Sequence, residues 1–201
     1  MASNVTIASQ ALTLLRADSI SAMSENVIVE ELYDGHITHL LGIYPWTFAT
    51  KKRQLTQDPT APISEYTYSH IIPAEALLIW ALFNTDEVGA SPVVNYDIYG
   101  TDSSRRIFSN YDTLYADYTI YPNENVWPPY FTQFAIHSLA GYLAVPVTGN
   151  SELAELYTGI AYGTANANRK GGLFGVAAAT DSKQKRNEFI VSSPFTTARF
   201  S

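Results

Sequence analysis

The sequence contains no cysteine, so disulfide bonds, thiolate nucleophiles and cysteine metal sites are excluded. Its first residues, MASNVTIASQALTLLRADS, lack the basic start and the long apolar run of a signal peptide. The longest apolar stretch, Ala74–Phe83, is half the length that spans a bilayer and contains Glu75, which favours a buried strand or short core segment. We therefore expect a protein that does not enter a membrane.

Charged residues are scarce, at 15% of the chain, whereas tyrosine occurs fourteen times. Tyrosine is enriched at protein interfaces, so one explanation is a surface covered by neighbouring subunits. The other is a tyrosine-rich β region in a monomer. Composition alone leaves both open.

The charges are unevenly distributed along the chain. Residues 1–168 hold six Lys and Arg against seventeen Asp and Glu, whereas residues 169–201 hold six against two. The first part is therefore strongly acidic and the second is basic, an asymmetry typical of an interaction arm. An acidic body disfavours ordinary nucleic-acid binding, which needs cations to neutralise phosphates.

Hydrophobic spacing of three and four residues predicts four helices. The first helix is predicted to follow an N-cap at Asn4, and the second to span Asn26–Tyr44 with a stop at Pro45. The third is predicted to begin at Pro128 and Pro129 and to end at Pro146 and Gly149. The fourth is predicted to begin at Asn150 or Ser151 and to end at the glycines of KGG, residues 170–172.

Between these pairs, residues 51–127 contain the short alternating runs EYTYSHIIP, VVNYDIYG, RRIFS and TLYADYTIYP, which predict strands. The expected fold is α+β and mainly α. It is an antiparallel bundle of about four helices (1–50 and 128–170) with a small inserted antiparallel sheet (51–127). Tyr33, Leu41, Pro45, Trp46 and Phe48 are predicted structural core residues, the last two where bundle meets sheet.

Residues 171–201 show no capped helix and predict an extended tail. Its basic charge and the run EFIV suggest strand addition to a partner, whereas a frayed terminus is the alternative. The residues predicted to bind that partner are Lys183, Lys185, Arg186, Phe189, Ile190, Val191 and Phe195.

No catalytic, cofactor or metal motif is present. The sequence lacks GxSxG, GxGxxG and GxxxxGK[ST], and His36 and His39 lie in DGHITHLL, which is not HExxH. We predict no enzyme activity, no cofactor and no metal. Two alternatives stay open: a cell-wall hydrolase with an unrecognised carboxylate pair, and a small DNA-binding module that uses the basic patches at 51–53 and 183–186.

Four segments together resemble the head-to-tail adaptor proteins of tailed bacteriophages, of the tail tubular protein A type. They are IASQALTLLRADSISAM, LYDGHITHLLGIYPWTFATKKRQL with its Pro-Trp-x-Phe-Ala signature, YTYSHIIPAEALLIWALF, and YTIYPNENVWPPYFTQFAIHSLAGYLAVPVTGNSELAELY. The resemblance covers about residues 4–165. One departure is that Arg16 and Ala17 stand where relatives commonly have a glycine after the first helix.

This resemblance implies a virion structural protein at the head–tail interface, made in the host cytoplasm. Such proteins form a ring, usually of twelve subunits, under the portal protein, extend the DNA channel, help retain the packaged genome and carry the tail tube or nozzle. The implied partners are copies of the chain itself, the portal, a tail protein and DNA that passes without sequence-specific binding. A negative lumen would let DNA slide, because it repels phosphates.

Overall fold

A computed structural model describes residues 2–60, 62, 65–87, 89–100, 105–164 and 171–184. These residues form an α+β fold with five α-helices and seven strands in two antiparallel sheets. The predicted mainly α fold, with about four helices, one small sheet and an extended arm, is therefore wrong. It missed a fifth helix in the supposed tail and the division of the strands into two sheets.

The first two helices begin at side-chain caps. Helix α1 spans Asn4–Leu14, and Ser3 caps it by accepting a hydrogen bond from the Thr6 amide. Helix α2 spans Val27–Gly42, and the Asn26 side chain accepts from the Val29 amide. The predicted cap at Asn4 was thus one residue late, and α2 ends two residues before Tyr44.

The next two helices form a hairpin. Helix α3 spans Pro129–Thr148 and continues through Pro146, where the sequence predicted a stop; it ends at Gly149, whose φ of 69° is left-handed. Asn150 caps α4, which spans Ser151–Tyr162 and ends at Gly163 instead of near residue 170. Within the described ranges, no helix is both long enough and apolar enough to cross a membrane.

Helix α5 spans Gly172–Ser182, inside the segment predicted to be extended. It buries Ala177 and Asp181, and its Leu173 and Phe174 pack against the helical core. The sequence gives it little capping, because no side chain caps its start at Gly171. Contacts with the rest of the fold, which sequence periodicity does not report, are what stabilise it.

The strands lie between α2 and α3. Their bounds are β1 Thr50–Gln54, β2 Thr56–Asp58, β3 Tyr68–Ile71, β4 Leu78–Phe83, β5 Tyr96–Gly100, β6 Arg105–Ser109 and β7 Tyr115–Thr119. One sheet has the order β1-β7-β4 and the other β2-β3-β6-β5, with every pair antiparallel. Because β1 and β2 are separated by Leu55 alone, the chain passes from one sheet to the other there.

Two hydrophobic clusters hold the fold together. The larger, which we call the helical cluster, contains residues of all five helices and of the segments around Trp46 and Trp127. The smaller joins both sheets through nine buried residues, among them Leu82, Ile107 and Tyr118. Among the described residues between Ala49 and Trp127, none that is fully buried belongs to the helical cluster, although Leu77 and Tyr121 pack against its edge.

Candidate functional site

The stretch from Tyr44 to Thr50 is the corner at which the chain turns from α2 into β1. Trp46 is fully buried there, and its indole Nε1 donates to the Leu40 carbonyl oxygen at 2.9 Å. The Thr50 hydroxyl donates to the Trp46 carbonyl at 2.7 Å, which closes the short 3-10 turn Thr47–Ala49. The corner thus ties the last turn of α2 to the first residue of the sheet.

An aromatic cluster fixes this corner against α3 and α5. The Trp46 ring lies 5.0 Å from that of Phe131 and 6.2 Å from that of Phe174, both edge-on. Phe48 lies 4.8 Å from Phe131, and Tyr44 lies 4.7 Å from Trp46. Edge-on aromatic pairs add roughly 0.5–1.5 kcal/mol each beyond the area they bury.

The five predicted core residues differ in burial. Trp46, Tyr33 and Leu41 are almost completely buried, whereas Phe48 and Pro45 are partly exposed. Phe48 still packs against the helical cluster. The partial exposure of Pro45 places it at the edge of a surface cleft.

Of the predicted tail residues, the structure describes only Lys183, in the turn that follows α5. Lys185, Arg186, Phe189, Ile190, Val191 and Phe195 lie outside the described residues. The idea of an extended binding arm therefore fails for residues 172–182, which are helical.

The end of α5 is attached to the corner by Asp181, whose side chain is fully buried. Its carboxylate accepts from the Thr47 amide at 3.0 Å, from the Thr47 hydroxyl at 2.7 Å and from the Tyr130 hydroxyl at 2.8 Å. Burial and this bond to Asp181 raise the pKa of Tyr130 to about 12. Sequence reasoning missed Asp181, although an acidic residue at the end of the apolar run GVAAATD was a usable signal.

The basic run Lys51, Lys52 and Arg53 lies exposed on β1. Lys51 forms an ion pair with Glu75 at 3.9 Å, and the Lys52 ammonium lies 4.1 Å from the centre of the Phe83 ring. Because neighbouring strand residues point to opposite faces, the run does not present its three charges on one side. This arrangement weakens the interpretation of the run as a DNA-binding patch.

A cleft of about 540 Å³ opens beside the corner, and we call it the corner cleft. Its lining residues are Pro45, Thr47, Thr50, Lys52, Trp80, Ala81 and Asp117. Asp117 is paired with Lys52 across the β1–β7 ladder, yet its Oδ1 is buried without a hydrogen-bond partner among the described residues. Burial raises the pKa of Asp117, and the charge of Lys52 opposes that rise.

A second cleft, of about 570 Å³, lies between α2, α3 and α4, and we call it the histidine cleft. In it, His36 Nε2 lies 2.9 Å from Ser138 Oγ, which lies 2.9 Å from the Tyr162 hydroxyl. The His36 ring also stacks on Tyr142 at 4.6 Å. Burial, with a smaller contribution from His39, lowers the pKa of His36 to about 4, so its ring is neutral at pH 7.

The histidine cleft does not assemble a metal site. Among the residues that the structure describes, no group of three or more His, Cys, Asp or Glu could hold a metal ion. Ser138 is almost completely buried in the middle of α3, a poor position for a nucleophile that must reach a substrate. The hydrogen-bond chain from His36 to Tyr162 is best interpreted as a link between α2, α3 and α4.

One pair of carboxylates shares a hydrogen-bond donor. The Tyr121 hydroxyl lies 3.4 Å from Asp34 Oδ1 and 3.5 Å from Glu124 Oε1. Burial and these two negative charges raise the pKa of Tyr121. The pair joins α2 to the short turn before α3, which is a structural role and gives the hydrolase alternative no specific support.

Large apolar side chains are exposed on both parts of the molecule. On α4, Leu156 and Ile160 lie one helical turn apart and are 53% and 39% exposed. Tyr142 and Val145 are about half exposed on α3, and Val94 is 84% exposed before β5. Single exposed hydrophobic residues are common and need no explanation, so the feature to note is that the two on α4 share one face of the helix.

Comparison with known proteins gives no independent identification. No protein-family model matches the chain, and no curated protein matches it at a significant level. Any functional assignment therefore depends on the sequence motifs and on the geometry described above.

Proposed function

We propose that the chain is a head-to-tail adaptor of a tailed bacteriophage, a virion protein that forms a ring under the portal. The ring would extend the DNA channel, retain the genome until ejection and carry the tail. The observation that carries the proposal is the location of the motifs that resemble this family. They lie at two places where the chain passes from one element of the fold to the next, and we call these places joints.

The first joint is the corner, where the Pro-Trp-x-Phe-Ala motif connects the helical cluster to the sheets. Its Trp46 contacts both α3 and α5 through aromatic pairs. A motif with this role is one that a family has a physical reason to keep, because the corner sets how the helices meet the sheets.

The second joint is the end of α1, where relatives commonly have glycine. Arg16 has a φ of 58°, a conformation in which glycine is strongly favoured. The Ala17 amide donates to the Leu12 carbonyl and the Arg16 amide to that of Thr13, which is the Schellman pattern for ending a helix. The departure from the family pattern therefore changes the residue but keeps the backbone geometry that a glycine would serve.

Surface and charge agree with a ring. The exposed apolar pair on α4 and the exposed residues on α3 offer area that side-by-side packing of subunits would bury. The acidic balance of residues 1–168 suits a lumen through which DNA slides, since like charge keeps phosphates from adhering.

Mixing the purified protein with the portal protein encoded by the same genome tests the proposal. Negative-stain electron microscopy should show an added ring under the portal. A portal that stays bare while this protein remains monomeric would overturn the proposal and return attention to the hydrolase and DNA-binding alternatives.

The same experiment tests the tail as the portal-binding segment. A chain that ends at Gln184 keeps every described residue but loses residues 185–201, including Arg186 and Phe189. We expect it to stay folded and to lose portal binding. Equal binding by the shortened chain would remove the role of the tail and leave the adaptor proposal intact.

A further inference from the structure

Two carboxylates from separate elements converge on one hydroxyl group. Asp34 is exposed on α2, and the partly buried Glu124 begins the 3-10 turn Glu124–Val126 before α3. Their nearest oxygens lie 3.4 and 3.5 Å from the Tyr121 hydroxyl, whereas a strong hydrogen bond to a carboxylate measures roughly 2.5–2.7 Å. A hydroxyl has a single proton to donate, so Tyr121 cannot satisfy both carboxylates at once.

The Tyr33 hydroxyl faces the same two carboxylates and is not paired. Tyr33 is only 1% exposed, and its hydroxyl oxygen has no hydrogen-bond partner among the described residues. Burial and, after it, the negative charge of Glu124 raise the pKa of Tyr33, with a further contribution from Asp34, so the hydroxyl is close to both groups. Buried hydroxyl groups are normally paired, and this one therefore points to a ligand that changes how Glu124 is held.

The charge around this pair is negative. Neither of the ion pairs between described residues involves Asp34 or Glu124. Glu30 and Glu31 precede Asp34 by four and three residues on α2, so they lie on its side of the helix and add to the negative charge. Because Asp34 is exposed, its carboxylate oxygens are accessible to a cation from solution.

We propose that Asp34 and Glu124 bind a calcium ion, with the Tyr121 hydroxyl oxygen as a neutral ligand and water in the remaining positions. Calcium takes about six to eight oxygen ligands in a flexible arrangement, whereas magnesium demands a nearly ideal octahedron. Two carboxylates on separate elements, one of them free to rotate, suit the more tolerant ion. Since only two ligands are charged, we expect a weak site with a Kd of about 0.1–1 mM.

Tyr33 acts on this site through Glu124 and is not itself a ligand. Once the ion holds the Glu124 carboxylate in one orientation, the second oxygen of that carboxylate accepts the hydrogen bond of the buried Tyr33 hydroxyl. The ion thereby joins α2 to the turn before α3 and ties down the start of the longest helix. The inference goes beyond the proposed function and does not depend on it, since the site lies within one chain.

Calorimetric titration of the full chain with CaCl2 tests the site, and luminescence of Tb3+ excited through the nearby tyrosines gives a second measurement. Calcium at about ten times its Kd should raise the midpoint of thermal unfolding by about 3–6 °C. MgCl2 at the same ionic strength should raise it much less. An equal response to both ions would reveal general screening of negative charge, and no saturable binding up to about 10 mM calcium would exclude even a weak site. Either result would overturn the proposal.

Variants locate the ion. Asp34→Asn and Glu124→Gln should each weaken calcium binding about tenfold or more, because each removes one of two charged ligands. The matched controls, Asp18→Asn and Glu155→Gln, change exposed acidic residues outside the site and should leave the Kd unchanged. Calcium binding that is insensitive to Asp34 and Glu124 would place the ion elsewhere and overturn the proposal.

Tyr33→Phe separates the calcium site from a simple structural contact. It removes the unpaired hydroxyl but no ligand, so the variant should fold without calcium and yet bind the ion severalfold more weakly. It also keeps the test valid if Glu124→Gln lowers stability. An unchanged calcium Kd in Tyr33→Phe would overturn the link between the buried hydroxyl and the ion.

Discussion

Asp181 accepts a hydrogen bond from the backbone amide of Thr47, a residue 134 positions earlier in the chain, at 3.0 Å. This bond joins the end of the last described helix to the corner between α2 and β1. It makes the helix from Gly172 to Ser182 part of the body of the protein, and the consequences can be measured.

Replacing Asp181 with alanine should lower the free energy of unfolding by about 2–4 kcal/mol, because three donors in a buried site lose their acceptor. The matched control is Asp18→Ala at an exposed position, which should change stability by less than about 0.5 kcal/mol. Urea unfolding followed by circular dichroism measures both. A small effect at Asp181 would show that water replaces the carboxylate at the corner.

Two truncations should separate the body from the tail. A chain ending at Gln184 should unfold at the same temperature as the full chain, whereas one ending at Gly171 should be far less stable. The shorter chain loses the packing of Phe174 and Ala177 in the helical cluster and the hydrogen bonds that Asp181 accepts. Calorimetry measures both transitions, and equal midpoints would mean that α5 contributes nothing to the body.

Sequence reasoning identified those elements whose pattern is complete within a few neighbouring residues. The alternating runs became β3, β5, β6 and β7, and Pro45 lies just beyond the end of α2. Helix α5 was not predicted because it has no side-chain cap at its start and contains two glycines, which weaken its local signal despite its alanines. Part of its stability comes from contacts with Thr47 and Tyr130, far away in sequence. The division of the strands into two sheets was not predicted, because the pattern of a strand does not specify which strands pair.

The candidate sites were less accessible to sequence reasoning than the fold. His36 and Ser138 meet across 102 residues, and no local motif reports such a contact. Asp117 is a charged residue inside the otherwise mostly apolar run LYADYTI, which was a weak indication of a buried carboxylate. Both examples concern groups whose chemistry is created by burial, and burial is a property of the folded chain.

Gly141 and Gly35 form a matched pair for testing the crossing of α3 and α4. A Cβ at Gly141 would lie 2.9 Å from the Thr158 amide nitrogen, whereas one at Gly35 would meet nothing within 4 Å. Gly141→Ala should therefore cost about 1–3 kcal/mol through overpacking. Gly35→Ala should gain up to about 1 kcal/mol from helix propensity. Denaturant unfolding of both variants would show opposite shifts, and equal shifts would contradict the close crossing.

Arg16→Gly should stabilise the protein by about 0.5–1 kcal/mol, because a left-handed φ of 58° strains any residue that carries a Cβ. Ala17→Gly is the control, since Ala17 does not have positive φ and glycine there gains nothing. Thermal unfolding of the two variants measures the difference. A loss of stability in Arg16→Gly would show that the Arg16 side chain contributes more than its backbone strain costs.

Protonation of His36 should destabilise the fold in mild acid. Its pKa of about 4 in the folded protein lies below the ordinary value of 6.5, so the unfolded chain binds the proton more readily. The contribution of neutral His36 is complete above pH 6.5 and is lost as the pH falls from there towards 4. The loss amounts to about 3 kcal/mol, since each pKa unit is worth roughly 1.4 kcal/mol.

Urea unfolding across this pH range measures the effect. The carboxylates titrate in the same way in every variant, so a difference between variants comes from the histidine that was changed. His36→Gln keeps a polar group near Ser138 but cannot be protonated, so its stability should fall less steeply with acid than that of the natural chain. His39→Gln, at an exposed position of the same helix, should keep most of the slope. If His36→Gln retains the full slope, the acid sensitivity originates in the carboxylates, and the hydrogen bond between His36 and Ser138 tolerates a charged ring.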